Sequence, residues 1–590
     1  MPAIPLSIPS RSRPEAAAAQ PGPDVDIAIV GAGFAGLYML YRARKLGLTA
    51  RVFERASDVG GVWYWNRYPG ARCDVESMQY SYSFSDPLQQ EWRWSERYAG
   101  QAEILDYARH VAERFDLKRD IRFETRVTAA HYAEADGLWD IATDRGDSVR
   151  SRFCIMASGC LSATRLPDID GLSEYTGQTF HTGAWPHEEV DFSGQRVGVI
   201  GTGSSGIQAI PMIAQQAEQL VVFQRTPNFS IPARNVPMDD DYERRWKTQY
   251  PELRRRAREE TTSGTLYERS DRKGHEAPSE ERQREYERRW QTGGVNFMHS
   301  FNDLMLDARS NDTAAHFVRE QIRATVNNPE VAELLSPKDH PIGAKRICVD
   351  TDYHATYNRD NVTLVDLRAA PIERITATGI QTRDAFYRLD SIVFATGYDA
   401  MTGALTAIDI TGRDGLALAD KWRGGPKSYL GLMTAGFPNL FTITGPGSPS
   451  VLSSMIFSIE QHVDWISDCL VAMQLRGATT IEAEPQAETD WVAHVNEVAD
   501  RTLFPRAASW YMGANIPGKA RVFMPYVGGV VPYRAKCDEV AAKGYEGVRL
   551  SARDSHPRPH PGPLPPAGEE MDPHPRPLPQ AGEGATRRPT

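Results

Sequence analysis

The sequence predicts an α/β protein made of two Rossmann-like dinucleotide-binding domains with a helical insertion, and three observations predict it. An apolar β-forming run at residues 25–30 leads into Gly31-Ala32-Gly33-Phe34-Ala35-Gly36 and then a helix-periodic stretch through Leu37, Leu40 and Leu46. The same strand, glycine turn and helix recur at residues 196–213, around Gly201-Thr202-Gly203-Ser204-Ser205-Gly206 with Ile207, Ile210 and Ile213 behind it. Between residues 238 and 293 the composition turns densely charged, with Arg254-Arg255-Arg256 and Glu281-Arg282-Gln283-Arg284-Glu285 among tyrosines and tryptophans. Glu and Asp are mixed through these runs, so they read as a solvated helix face and not as a basic patch.

The first glycine loop places a tight turn, a close backbone approach and a helix N-terminus where a pyrophosphate binds. Glu54 ends the next strand, where its carboxylate accepts hydrogen bonds from a ribose diol and calls for an adenosine without a 2′-phosphate. The second loop ends its next strand differently, with Arg225 and then Thr226. A guanidinium there pairs with a 2′-phosphate, which points to NADPH. One site for a plain adenosine and one for a phosphorylated adenosine suggest a flavin reduced by NADPH. The paired cysteines of disulfide reductases are missing after the first loop, where Cys73 stands alone.

Bulk properties narrow the class further. At 590 residues the chain needs several domains, and a formal charge of −10 argues against nucleic acid or an anionic membrane as partner. No run of 18 apolar residues occurs, and the N-terminal stretch lacks the apolar region of a signal peptide. Six cysteines without a CxxC pair fit reduced thiols in a cytoplasmic protein, with no metal site expected.

Residues Gly60-Gly61-Val62-Trp63, Tyr68-Pro69-Gly70 and Asp74 follow the first loop, and Gly177, His181, Thr182, Trp185 and Pro186 precede the second. Here the sequence resembles the type I Baeyer–Villiger monooxygenases, the family of the cyclohexanone, phenylacetone and steroid monooxygenases. The match to the fingerprint FxGxxxHTxxWP departs only at Tyr175, where phenylalanine is usual. The resemblance covers roughly residues 24–547. It implies FAD and NADPH as cofactors, and a ketone and O2 as substrates that give an ester or lactone through a flavin peroxide.

By the same resemblance, Arg346 is the active-site arginine and Asp74 its carboxylate partner. Gly61 and Trp63 accompany the flavin, Lys345 binds the 2′-phosphate beside Arg225, and Trp510 donates its indole N–H to the nicotinamide nucleotide. His181 belongs to a linker that couples domain movements. Ser450, Val451 and Leu452 line the substrate pocket. Two other readings stay open: an N- or S-oxygenating flavin monooxygenase, and a non-catalytic nucleotide-binding interaction protein recruited through its tail.

The expected organisation is a disordered leader at 1–23, then a FAD-binding domain at 24–155 and 390–550. An NADP-binding domain at 156–235 and 336–389 encloses the insertion at 236–335. A proline-rich tail at 551–590 carries a repeat, beginning at His560 and His574. Proline at that density keeps a chain extended.

Overall fold

A computed structural model describes residues 22–552. The expected leader, except its last two residues, and the expected tail beyond residue 552 lie outside the described residues.

Val25–Val30 becomes the middle of an eight-stranded sheet because it is apolar on both faces, with Ile27, Ala28 and Ile29 fully buried. It runs parallel to Ala50–Phe53 on one side and Ser148–Met156 on the other. The order across the sheet is Asp409–Thr411, Val127–Ala133, Leu138–Thr143, Ser148–Met156, Val25–Val30, Ala50–Phe53 and Ile121–Arg122. Leu440–Thr442 also pairs with Ser148–Met156.

The second sheet has five strands, all parallel, in the order Val362–Asp366, Gln219–Gln224, Arg196–Ile200, Ser391–Phe394 and Gln178–His181. Ser391–Phe394 comes late in the chain yet lies beside Arg196–Ile200. The return to the first sheet follows it, at Asp409–Thr411.

Helices Asp240–Glu260, Ser279–Thr292, Ala308–Thr325 and Pro329–Leu335 make most of the charged stretch and its continuation helical, with an irregular connection at 261–278. The solvated-face reading holds for Arg255, which pairs with Glu252 and Glu259, and for Arg256, which pairs with Glu260. It does not extend to Arg289, which is 1% exposed and bound to Glu285, the Glu268 carbonyl and Asn296. Arg254 likewise turns inward, donating to Ser81 Oγ and the Gln79 carbonyl. Charged composition averages over a helix, whereas burial is decided residue by residue by what the helix packs on. All six cysteines are buried and unpaired, and no helix among the described residues is long and apolar enough to cross a membrane.

One buried histidine fixes the segment that leads to the expected substrate loop. His462 is fully buried on the helix Met455–Leu475; its Nδ1 accepts from the Thr444 N–H at 2.9 Å and its Nε2 lies 3.0 Å from the Tyr533 hydroxyl. That hydroxyl donates to the Leu430 carbonyl, so the network assigns the proton to Nε2. Burial pushes the His462 pKa down to about 3. The unfolded chain takes up this proton near its ordinary value of about 6.5, so stability is lost as pH falls below that value toward 3. The expected loss is about 2 kcal/mol at pH 5, to be read from denaturant unfolding of the wild type against His462→Gln. Equal pH slopes for the two proteins contradict it.

Candidate functional site

The first glycine loop turns at Gly31, whose φ of +105° suits only glycine. An added Cβ on Gly36 would lie 1.9 Å from the Gly31 carbonyl oxygen, so the helix can begin this close to the strand only at glycine. Gly33 faces Gly61, which opens the short helix Val62–Trp65. Trp63 in that helix donates its indole N–H to the Tyr80 hydroxyl at 3.1 Å. Glu54 follows the strand Ala50–Phe53 and is buried, accepting from the Ala32 N–H at 2.7 Å and the Ala56 N–H at 2.8 Å. Burial pushes its pKa up and the two backbone N–H groups pull it back. Each carboxylate oxygen keeps a lone pair for a ribose hydroxyl.

The second loop repeats the geometry. An added Cβ on Gly206 would come 2.3 Å from the Gly201 carbonyl oxygen, while one on Gly203 meets nothing within 4 Å, leaving open space over the loop. Ser204 Oγ lies 3.3 Å from Cys348 Sγ, and Ser205 Oγ 3.0 Å from Thr182 Oγ1. Arg225 and Thr226 follow the strand Gln219–Gln224, with Arg225 exposed. Burial lowers the Lys345 pKa; Asp339 raises it, and the nearby charges of Arg225 and Arg368 lower it further. Arg368 also reaches Thr226 Oγ1 at 3.4 Å and pairs with Asp339. Three cations and a hydroxyl thus converge, a donor set matched to a phosphate dianion. Sequence reading missed Arg368, because only the parallel pairing of Val362–Asp366 with Gln219–Gln224 brings it beside Thr226.

Between the loops, Arg346 Nη2 contacts Asp74 Oδ2 at 3.1 Å and Nη1 contacts the Val451 carbonyl at 3.4 Å. Burial opposes the charge on Arg346, but Asp74 raises its pKa overall; burial pushes Asp74 up while Arg346 pulls it back. Arg346, Asp74 and Val451 are therefore brought together, with Ser450 and Leu452 on either side of Val451. Ser450 holds a positive φ of +40° and donates from Oγ to the Thr444 carbonyl at 3.1 Å. The Trp510 ring packs against Tyr511 in a tilted arrangement, centroids 4.2 Å apart, and the Arg346 charge acts on Tyr511 in turn. Asn228 donates to the Arg346 carbonyl at 3.1 Å.

The linker residues meet at the second sheet. Tyr175 donates its hydroxyl to the Leu389 carbonyl at 3.1 Å, a bond phenylalanine would lack. An added Cβ on Gly177 would lie 2.5 Å from the Asp390 carbonyl oxygen. His181 Nδ1 accepts from the Gly183 N–H at 3.0 Å, and burial lowers its pKa, so the ring is neutral. Trp185 stacks on Phe180, and its backbone N–H donates to the Trp65 carbonyl at 3.1 Å, joining the linker to the region after the first loop; Pro186 follows it, half-buried.

Buried polar atoms without a partner in the protein include Asn228 Oδ1, Ser509 Oγ and Asn515 Oδ1. Such atoms ordinarily find one, and a nucleotide between the loops would supply it. The open space over Gly203, the free lone pairs of Glu54 and the cation cluster at Arg225 fit two dinucleotides. The group His275, Asp303 and Asp307 has ligand types suited to a metal, but its carboxylates are engaged by Ser310, the Gly274 N–H and Arg309.

Residues 24–269 match the flavin-binding monooxygenase-like family model. A Baeyer–Villiger monooxygenase of Pseudooceanicola batsensis is 43% identical over 531 residues, covering 89% of this chain and 96% of the relative. Among solved structures, an oxidized steroid monooxygenase bound to NADP is 55% identical with a TM-score of 0.85, covering 89% of this chain and 99% of that one. The OTEMO complex with FAD and NADP is 41% identical with a TM-score of 0.87, covering 90% of this chain and 100% of that one. With identity of this order sustained over nearly the whole of such relatives, the chain belongs to the Baeyer–Villiger monooxygenase family of flavin-binding monooxygenases.

Proposed function

We propose that this chain oxidises ketones to esters or lactones with NADPH and O2, holding FAD at the first glycine loop and NADPH at the second. The observation that carries the reading is the Asp74–Arg346 pair set against Val451 between the two loops. When bound, FAD reduced by NADPH activates O2 and supplies one oxygen atom to the ketone carbonyl.

The residues of the chain set the conditions for that transfer. Negative charge develops on oxygen as the carbonyl is attacked, and a fixed cation in a site poor in water stabilises it. Arg346 supplies that cation. Asp74 holds one guanidinium nitrogen and the Val451 carbonyl the other, so the fork is oriented before substrate arrives. Glu54 receives the ribose diol of FAD, with Gly31, Gly33, Gly36, Gly61 and Trp63 around the flavin nucleotide. Gly201, Gly203, Ser204, Ser205 and Gly206 cradle the NADPH pyrophosphate. Arg225, Thr226, Lys345 and Arg368 take the 2′-phosphate, and Trp510 binds the nicotinamide end. We assign His181 no proton transfer: its Nδ1 accepts a backbone N–H and its Nε2 faces Thr396 Oγ1 at 3.4 Å. With Gly177, Thr182, Trp185 and Pro186 it couples the two nucleotide regions.

The functional division we assign keeps FAD with 24–155 and 390–550 apart from one strand, NADPH with 156–235 and 336–389, and the insertion at 236–335. Strand Ser391–Phe394 is hydrogen-bonded on the NADPH side of the second boundary. Six buried, unpaired thiols support a reducing cytoplasm as the compartment.

Replacing Arg225 by Ala is expected to raise the KM for NADPH about 10-fold or more, the scale of one charged hydrogen bond, with little effect on NADH. An unchanged NADPH to NADH ratio of kcat/KM contradicts the 2′-phosphate assignment. The reaction itself is tested by supplying NADPH and O2 with a panel of ketones, amines and sulfides and identifying products by gas chromatography. Esters from ketones are expected; N-oxides or sulfoxides alone, with every ketone untouched, contradict the reading.

A further inference from the structure

A cavity opens beside the reacting centre, between the helical insertion and the segments around residues 449 and 526. Its volume is about 280 Å³, close to the lower end for small-molecule sites at about 300 Å³ and more than a minimal ketone fills. Hydrogen bonds from the Leu503 N–H to the Met305 carbonyl and from the Ser454 N–H to the Ser263 carbonyl fix its two walls relative to each other.

Two contacts bring this cavity to Arg346. Met298 and Met305 line it and also pack on Gly343, where an added Cβ would lie 2.7 Å from each of them; Gly343 is three positions before Arg346. On the opposite wall, Leu452 lines the cavity and is the immediate neighbour of Val451, whose carbonyl contacts Arg346. The remaining wall is apolar at Leu304, Phe301 and Phe504 and carries neutral polar groups at Ser270, Asn302 and Thr502.

The charge in this lining is one-sided. Arg269 is its single ionised side chain, with no Asp or Glu among the lining residues. His299 lines the cavity too, but it stacks on Tyr267 at 5.0 Å and burial drives its pKa down to about 4, so it is neutral at working pH. Arg269 is exposed, donates to the Glu260 carbonyl at 3.3 Å, and pairs with no carboxylate among the described residues. A trough with apolar walls, a few neutral polar groups, one unpaired cation and no acid selects an amphiphile with an anionic end.

We propose that this cavity holds the apolar body of the substrate, and that the substrate is an extended ketone bearing a carboxylate remote from its reacting carbonyl, paired with Arg269. This rests on the ketone-oxidising reading given above. Met298, Met305 and Leu452 are then specificity residues, and Arg269 a binding residue for the anionic end.

The test uses the FAD-loaded full chain and two probes, a linear methyl ketone and the same chain ended by a carboxylate. Wild type is expected to favour the keto acid about five-fold in kcat/KM, the upper range for an exposed ion pair. Arg269→Gln should bring that ratio to about one, Arg269→Lys should keep most of it, and added salt should erode it in wild type. A wild-type ratio of one, or a ratio that survives Arg269→Gln, overturns the proposal while ester formation from the neutral ketone leaves the wider reading standing. If neither probe nor a short ketone yields an ester, the ketone-oxidising reading falls and this proposal falls with it.

Discussion

Arg346→Ala is expected to keep FAD and its reduction by NADPH, yet to lose ester formation by about 10²-fold or more, the scale of removing one preorganised donor. The loss follows from what the guanidinium touches. Its two nitrogens are held by Asp74 and by the Val451 carbonyl, so the charge stands in one place in the crevice and cannot be replaced by water without loss of orientation. Reducing equivalents should then leave as hydrogen peroxide, giving normal NADPH consumption with little ester. Arg346→Lys is not a conservative change here, because an ammonium lacks the planar fork that meets both partners. Removing the arginine also strands Asp74, which is buried and loses its ion-pair partner, so part of any fall in stability belongs to that carboxylate. Combining Arg346→Ala with Asp74→Asn should recover stability without recovering ester. Gas chromatography for the ester, a peroxide assay and a thermal melt separate these effects. An unaltered ester yield in Arg346→Ala contradicts the assignment.

Gly36→Ala should yield protein largely free of flavin, whereas Gly206→Ala should keep its flavin and lose NADPH binding. In both, one methyl group meets a backbone carbonyl oxygen, at 1.9 Å from Gly31 in the first loop and 2.3 Å from Gly201 in the second. No side chain can rotate away from such a contact. The helix must slide from the strand, moving the N–H groups that cradle the pyrophosphate, at a cost of about 1–3 kcal/mol or more. Because the two loops open different sheets, the losses should be separable: flavin absorbance per protein reports the first, and the KM for NADPH the second. Equal flavin loss in the two variants would mean that the domains do not fold as independent binding units.

Local pattern explains why the two glycine loops were readable. Each lies within one strand–turn–helix run, and each acidic or basic strand end, Glu54 and Arg225, lies one strand further on. The Arg346–Asp74 pair spans 272 positions, so no spacing rule joins them; family resemblance alone placed them together. Arg368 was invisible for a related reason, since its place beside Thr226 depends on strand order across the second sheet. The inward turn of Arg254 and Arg289 escaped a reading based on composition, because a run of arginines looks alike whether its partners are solvent or backbone carbonyls. The cavity at Arg269 was equally hidden, its lining gathered from segments between residues 262 and 529 that are far apart in sequence.

The most direct test of the central claim is oxidation of a ketone under isotopically labelled O2, with mass spectrometry of the product. Oxygen insertion predicts one labelled oxygen atom in the ester, with one NADPH consumed for each molecule formed. Label recovered only in hydrogen peroxide, with the ketone unchanged, would contradict it.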